Sequence, residues 1–193
     1  MKKKTLFSCL AVALLIGVSG APSLAGSGKA ASLSSKSIKA GEAVPAVFAA
    51  KSVEGGKNLS PELKWEGFPQ AKSFAISCID VNPIAGNYVH WMAVNIPASV
   101  FSIPEGASGG GLMPEGCVEL ENSARGIGWI GPHPGDASLH KYVFTVYALS
   151  EERLPVRDVL HFTASSFSRM IEGKVIAKAS FTATFKRREA AGK

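Results

Sequence analysis

The chain has 193 residues, with 21 Lys and Arg against 15 Asp and Glu, and a formal net charge of +6. That length suggests one domain, able to bury roughly 70% of its unfolded surface without a metal or disulfide staple. The basic excess sits near the two ends and forms no stripe interleaved with aromatics, which argues against nucleic-acid binding.

The N-terminus carries Lys2, Lys3 and Lys4, then an apolar run from Leu6 to Val18, then small residues with Ser23 and Ala25 before Gly26. This order is that of a secretory signal peptide over residues 1–25, and the run is short for a bilayer span. Cys9 falls too early in the run to be a lipidation site. Cleavage leaves 168 residues and, with three lysines gone, a charge of +3. The expected location is periplasmic or secreted, with no stable membrane span after cleavage. Residues 26–36 are small and polar and read as a flexible leader. A single domain follows over 37–188, and 189–193 form a tail.

Apolar runs in the domain are short and broken by turn residues. SFAISCID (73–80) stops at Asn82-Pro83, and YVHWMAVNIP (88–97) stops at Pro97. KYVFTVYAL (141–149) is dense in Val, Phe, Thr and Tyr, and KASFTATF (178–185) alternates, placing Phe181, Ala183 and Phe185 on one face. These are strand signals, and their spacing by Gly and Pro loops predicts a mostly β, antiparallel sandwich. One helix is expected over 163–173, capped by Thr163, with Phe167, Met170 and Ile171 on one face and Gly173 at its end. Leu154 to Leu160 suggests a further short turn. The Gly- and Pro-rich segment 104–136 lacks periodicity, and a loop that long is usually functional or flexible. Cys78 and Cys117 are two thiols in an oxidising compartment, and spacing leaves open a disulfide or two separate buried thiols.

Polar groups gather at predicted strand ends, where a scaffold can hold loops around a ligand. Asp80 and Asn82 precede Pro83. His90 lies two residues before Met92 and four before Val94, on an apolar face. Gly131, Pro132, His133, Pro134 and Gly135 make a stiff loop, in which flanking prolines favour exposure of His133. His140 and Tyr142 are two apart and share a strand face. Each has a plain structural reading: Asx-Pro pairs form turns, and a lone histidine on an apolar face is often a core residue.

NLSPELKWEGFP (58–69), IDVNPIAGNYVHWMAVNIPA (79–98), EGASGGGLMPEG (105–116) and IGPHPGDASLHKYVFTVYALS (130–150) together resemble the bacterial branch of the phosphatidylethanolamine-binding protein family, the Raf kinase inhibitor-like proteins. The resemblance implies a central antiparallel sheet packed by a second small sheet, with a few peripheral helices. It also implies a pocket for phosphate-like or carboxylate anions, formed by Asp80, Asn82, His90, Pro132, His140 and Tyr142, with Gly131 at its rim. The chain departs from the usual Asp-Pro-Asp-Ala-Pro at Asp80-Val81-Asn82-Pro83-Ile84, so Asn82 replaces a carboxylate with an amide that can also donate. Lys141 stands where Arg is common.

The expected function is that of an exported, non-catalytic binding protein for a small anion or phospholipid head group. No nucleophile sits beside a base at a known spacing, and no tight metal-ligand motif or cofactor motif is present. The alternative is a protein-interaction module that inhibits an extracytoplasmic kinase or protease.

Overall fold

The computed structural model describes residues 29–187. The expected signal peptide, residues 26–28 of the leader and the expected tail lie outside the described residues. Eight strands form two antiparallel sheets. The smaller has the order β1-β2-β5, from Ser32–Ser34, Leu63–Glu66 and Ser102–Ile103. The larger has the order β6-β4-β3-β7-β8, from Val118–Glu119, Tyr88–Pro97, Ser73–Asp80, His140–Leu149 and Val175–Phe185. One helix, α1 (Ala164–Ile171), and two 3-10 turns at Ala46–Phe48 and Pro83–Ala85 complete the described residues.

The large sheet is buried on both faces at its centre, which explains why its strands read as near-continuous apolar runs. On one face Phe74, Ile76, Trp91, Phe144, Val146 and Phe181 pack against Leu33, Leu63, Trp65 and Ile103 of the small sheet. On the other, Ala75, Met92, Val94 and Leu149 meet Phe167 and Ile171 of α1. Strand β8 is the edge, and alternation survives there: Phe181, Ala183 and Phe185 are buried between more exposed neighbours. Helix α1 starts where Thr163 accepts from Ser166 N–H, with the Ser166 side chain returning the bond, a capping box.

Two expectations need correction, and one open alternative is resolved. Ser32–Ser34 of the supposed flexible leader are a strand, paired with Lys64–Glu66, because backbone pairing to β2 and burial of Leu33 order them. The turn expected over Leu154–Leu160 is not helical. The Asn95 amide binds Leu154 on both sides, accepting from its N–H at 2.7 Å and donating to its carbonyl at 3.0 Å, and Pro155 disfavours a helical Leu154. The two cysteines are free thiols. Cys78 faces Trp91, whereas Val118, next to Cys117, faces Val94. Those β4 positions are about 10 Å apart at strand rise, beyond disulfide reach.

The segment 104–136 is held, not loose. Ser60 Oγ accepts from Ser108 N–H at 3.1 Å, Ser108 Oγ accepts from Trp129 N–H at 2.8 Å, and Trp91 Nε1–H donates to Glu119 at 2.7 Å. Trp129 then stacks among Trp91, Phe144 and His90, with ring centres 5.9, 6.2 and 6.3 Å away. This brings the following loop, 131–139, over one end of the large sheet.

Candidate functional site

At that end, one row of the sheet runs Tyr88–Asp80–Tyr142 across β4, β3 and β7. Residues directly opposite in a ladder point to the same face. Two positions before Tyr142 on β7, His140 joins that face. The four side chains line a cavity of about 330 Å³, closed by Ile84 and Ala85 of the 3-10 turn and by His133–Asp136 of the loop. A larger depression of about 1190 Å³ lies beyond that loop, against Val44, Val53, Phe185 and Arg187. The smaller cavity is the candidate site, because the histidines and buried Asp80 converge there.

His90 reaches the cavity through a bulge. Cys78 pairs with Trp91 and Ile79 with Val89, so β4 carries one extra residue, His90, against β3. A bulge re-aims a side chain out of strict alternation. His90 therefore does not share the face of Met92, as simple alternation predicts. Met92 packs toward α1, whereas the His90 ring meets Tyr142 edge-on at 5.0 Å and Tyr88 at 5.1 Å. Its Nδ1–H donates to the Ile130 carbonyl at 2.7 Å, leaving Nε2 with the lone pair. Burial pulls its pKa down to about 4, so the ring is neutral at physiological pH.

His140 is the opposite case. Nδ1 lies 2.5 Å from Asp80 Oδ2, and Nε2 lies 3.0 Å from Asp136 Oδ2. Both ring nitrogens donate to carboxylates, the arrangement of an imidazolium. Burial opposes that charge, but hydrogen bonds to Asp80 and Asp136 outweigh it and raise the pKa above the usual histidine value. Asp80 is buried, and its other oxygen accepts from Asn82 N–H at 2.9 Å. Asp136 is more exposed. Its Oδ1 accepts from Ser138 N–H at 2.7 Å, and bonds to Ser138 and then His140 lower its pKa to about 2. Burial, with the Asp80 charge behind it, pushes the Tyr142 phenol far up, so it stays protonated.

Of the residues singled out from the sequence, Asp80, His90, His140 and Tyr142 converge on the cavity. Asn82, Gly131 and Pro132 stand behind it and position its walls. The Asn82 side chain accepts from Ile84 N–H at 3.0 Å and donates to Ser138 Oγ and the Leu139 carbonyl, both at 3.3 Å, tying the 3-10 turn to the loop. Gly131 N–H donates to Asn58 Oδ1 at 2.7 Å, and a Cβ at Gly131 would lie 2.1 Å from the Phe48 carbonyl oxygen. The Pro132 carbonyl accepts from Ala50 N–H at 3.2 Å.

The cavity adds Tyr88, His133 and Asp136. His133 is not turned outward by its prolines. Its Nδ1–H donates to the Gly131 carbonyl at 2.8 Å, and its Nε2 accepts from Tyr88 O–H at 3.3 Å. Strand alternation carries a signal for Tyr88, two residues before His90. Asp136 gives only the i, i+4 spacing to His140, which has no meaning until the loop path is known. Among the described residues no cluster of three or more His, Cys, Asp or Glu is placed to hold a metal ion.

A two-sheet β domain with one small polar cavity at its strand ends has the architecture of a binding protein, a scaffold that positions loops around a ligand. The sequence pattern of the family described as phosphatidylethanolamine-binding protein matches residues 34–186. The Escherichia coli protein YbhB is 35% identical over 133 residues, 67% of this chain and 83% of its own length. Escherichia coli YbcL is 35% identical over 161 residues. The YbcL crystal structure, described as a new member of the mammalian PEBP family, superposes with a TM-score of 0.74 over 83% of this chain and 100% of its own. A Mycobacterium tuberculosis relative named as a lipoprotein, LppC, is 32% identical over 56% of this chain and 50% of its own length. The chain belongs to the phosphatidylethanolamine-binding protein family.

Proposed function

We propose that the chain is an exported, non-catalytic binding protein whose cavity takes a small anionic group, phosphate or a phospholipid head-group phosphate. The observation that carries this reading is the outward N–H of His140. The buried Asp80 holds the ring protonated, and Nε2–H points where a carboxylate oxygen of the chain itself already sits at 3.0 Å. An oxyanion thus fits at that position. The Tyr142 hydroxyl and the Tyr88–His133 pair supply further polar contacts around it. A non-catalytic role is favoured because His140 donates from both nitrogens and has no lone pair to act as a base. His90 keeps a lone pair, but a pKa near 4 makes it a weak base at neutral pH. Export is supported by the basic, apolar and small-residue order of the first 25 residues and by the relative named as a lipoprotein.

Thermal unfolding of the mature domain with phosphate, phosphoethanolamine and sulfate tests the reading. An anion at 100 times its dissociation constant stabilises by about 2.7 kcal/mol. Sulfate, whose charge is fixed near neutral pH, is expected to bind more weakly as pH rises through the folded pKa of His140, which its carboxylate partners hold above the usual histidine value, because the ring then loses its proton. No stabilisation by any of the three would rule the reading out.

A further inference from the structure

We propose that Asp136 is a specificity-determining residue of this cavity: its carboxylate occupies the His140 Nε2–H, and an incoming anion must displace it. The inference rests on the anion-binding reading above. The two carboxylates on His140 are not equivalent. Asp80 belongs to the end of β3, is buried on its sheet row between Tyr88 and Tyr142, and has its second oxygen committed to Asn82 N–H. It cannot leave without exposing an unpaired buried charge. Asp136 belongs to the loop, its side chain is 36% exposed, and a Cβ at the preceding Gly135 would meet no atom within 4 Å. It can turn into water and keep its charge solvated.

Charge makes the exchange necessary. One imidazolium between two carboxylates carries a net negative charge, and His90 beside it is neutral. An anion entering while Asp136 stayed in place would meet a like charge across His140. An anion that takes the place of Asp136 finds the same N–H and leaves the net charge of the buried pair unaltered. Acid does not open the site, because Asp136 stays ionised down to a pH of about 2. Competition is the remaining route. Asp136 is thus a tethered rival ligand that raises the apparent dissociation constant of every anion and lets in only those that outbid a carboxylate.

The size of the effect follows from the exposure of Asp136, whose side chain is 36% exposed although His140 is buried, so that water solvates the rival carboxylate in either position. An ion pair with one partner open to water gains little net over its solvated alternative, so the occupied state is favoured by a modest factor. Removing the rival carboxylate should tighten anion binding by roughly twofold to fivefold. The test is calorimetric titration of inorganic phosphate at pH 6 into the parent, Asp136→Asn and Asp136→Ala. Asp136→Asn keeps an oxygen for Ser138 N–H, and Asp136→Ala removes the side chain outright. Asp158→Asn, which removes a charge from a separate loop where Asp158 caps Leu160 N–H, controls for net charge. Tighter binding by both Asp136 variants, with Asp158→Asn like the parent, is the expected result. Equal or weaker binding by the Asp136 variants, with phosphate bound by the parent, would overturn the competitor and leave the anion site standing. Equal tightening by Asp158→Asn would overturn it too, as an effect of overall charge. Phosphate bound by none of the four proteins would refute the anion reading and the competitor with it. Resonances of the His140 ring, followed by ¹⁵N NMR in the parent, should move on phosphate addition if Asp136 is exchanged and stay fixed if it is not.

Discussion

Replacing His90 by Asn should remove about 3 kcal/mol of acid sensitivity from the protein. His90 is 2% exposed and is neutral because burial lowers its pKa to about 4. In the unfolded chain its pKa returns to near 6.5. Below that value the unfolded state takes up a proton that the folded state refuses, so stability falls as pH falls from about 6.5 toward 4. The gap between the two values corresponds to about 3 kcal/mol, a large part of the margin of a typical domain. His140 acts in the opposite sense. Its folded pKa is raised, so its contribution is complete below 6.5 and is lost as pH rises through the folded value. The parent's profile mixes the two, and the difference between parent and His90→Asn isolates one. Asn is chosen because its amide can still donate to the Ile130 carbonyl, the bond His90 Nδ1 makes at 2.7 Å. Urea unfolding at pH 7, 5.5 and 4 gives both stabilities, provided the slope with denaturant stays constant. The variant starts lower at pH 7 because the ring contacts with Tyr142 and Tyr88 are gone; the change with pH is what counts. Parallel profiles from pH 7 to 4 would show that the folded state protonates His90 as readily as the unfolded one, and the neutral buried histidine would be wrong.

Gly131→Ala should destabilise by roughly 1–3 kcal/mol or more, since its Cβ would fall 2.1 Å from the Phe48 carbonyl oxygen and 2.5 Å from Ala50 N, both backbone atoms. A melting temperature equal to the parent's would show that this contact can relax. Denatured, unreduced domain should titrate two thiols, Cys78 and Cys117, with a chromogenic disulfide reagent. A reading of none at monomer mass would mean the strand register that separates them is not the one in solution.

The central strands were legible because each is buried on two faces and is built from β-branched and aromatic residues. SFAISCID and YVHWMAVNIP coincide with β3 and β4, and β7 differs from KYVFTVYAL only by including His140. The helix was legible from its Thr163 cap. Strands β1, β5 and β6 were not, being two or three residues long. Runs that short contain no period to detect, and their order comes from a partner distant in sequence. Leu33, for example, faces Trp65. The order within segment 104–136 was not legible for a related reason. Its hydrogen bonds are made by single Ser, Asn and Trp side chains to remote backbone, as with Ser108 and Trp129, and leave no pattern along the chain.

The site shows the same division more sharply. Asp80, His140 and Tyr142 lie on regular strands, where position along the chain fixes the face. His90 lies at a bulge, which inverts what alternation says about it, and Asp136 lies on a loop whose path depends on Asn82, Asn58 and Gly131. The strands place Asp80 against His140 Nδ1, which leaves the His140 Nε2–H as the donor that the proposed anion would meet. The loop then brings a second carboxylate to that N–H at 3.0 Å. Affinity in such a site is therefore divided between two kinds of structure. On the proposed reading, the sheet sets whether an anion can bind, and residues 131–139 set how hard it must compete. Substitutions within that loop can change the ligand preference while the charge pair beneath it stays intact.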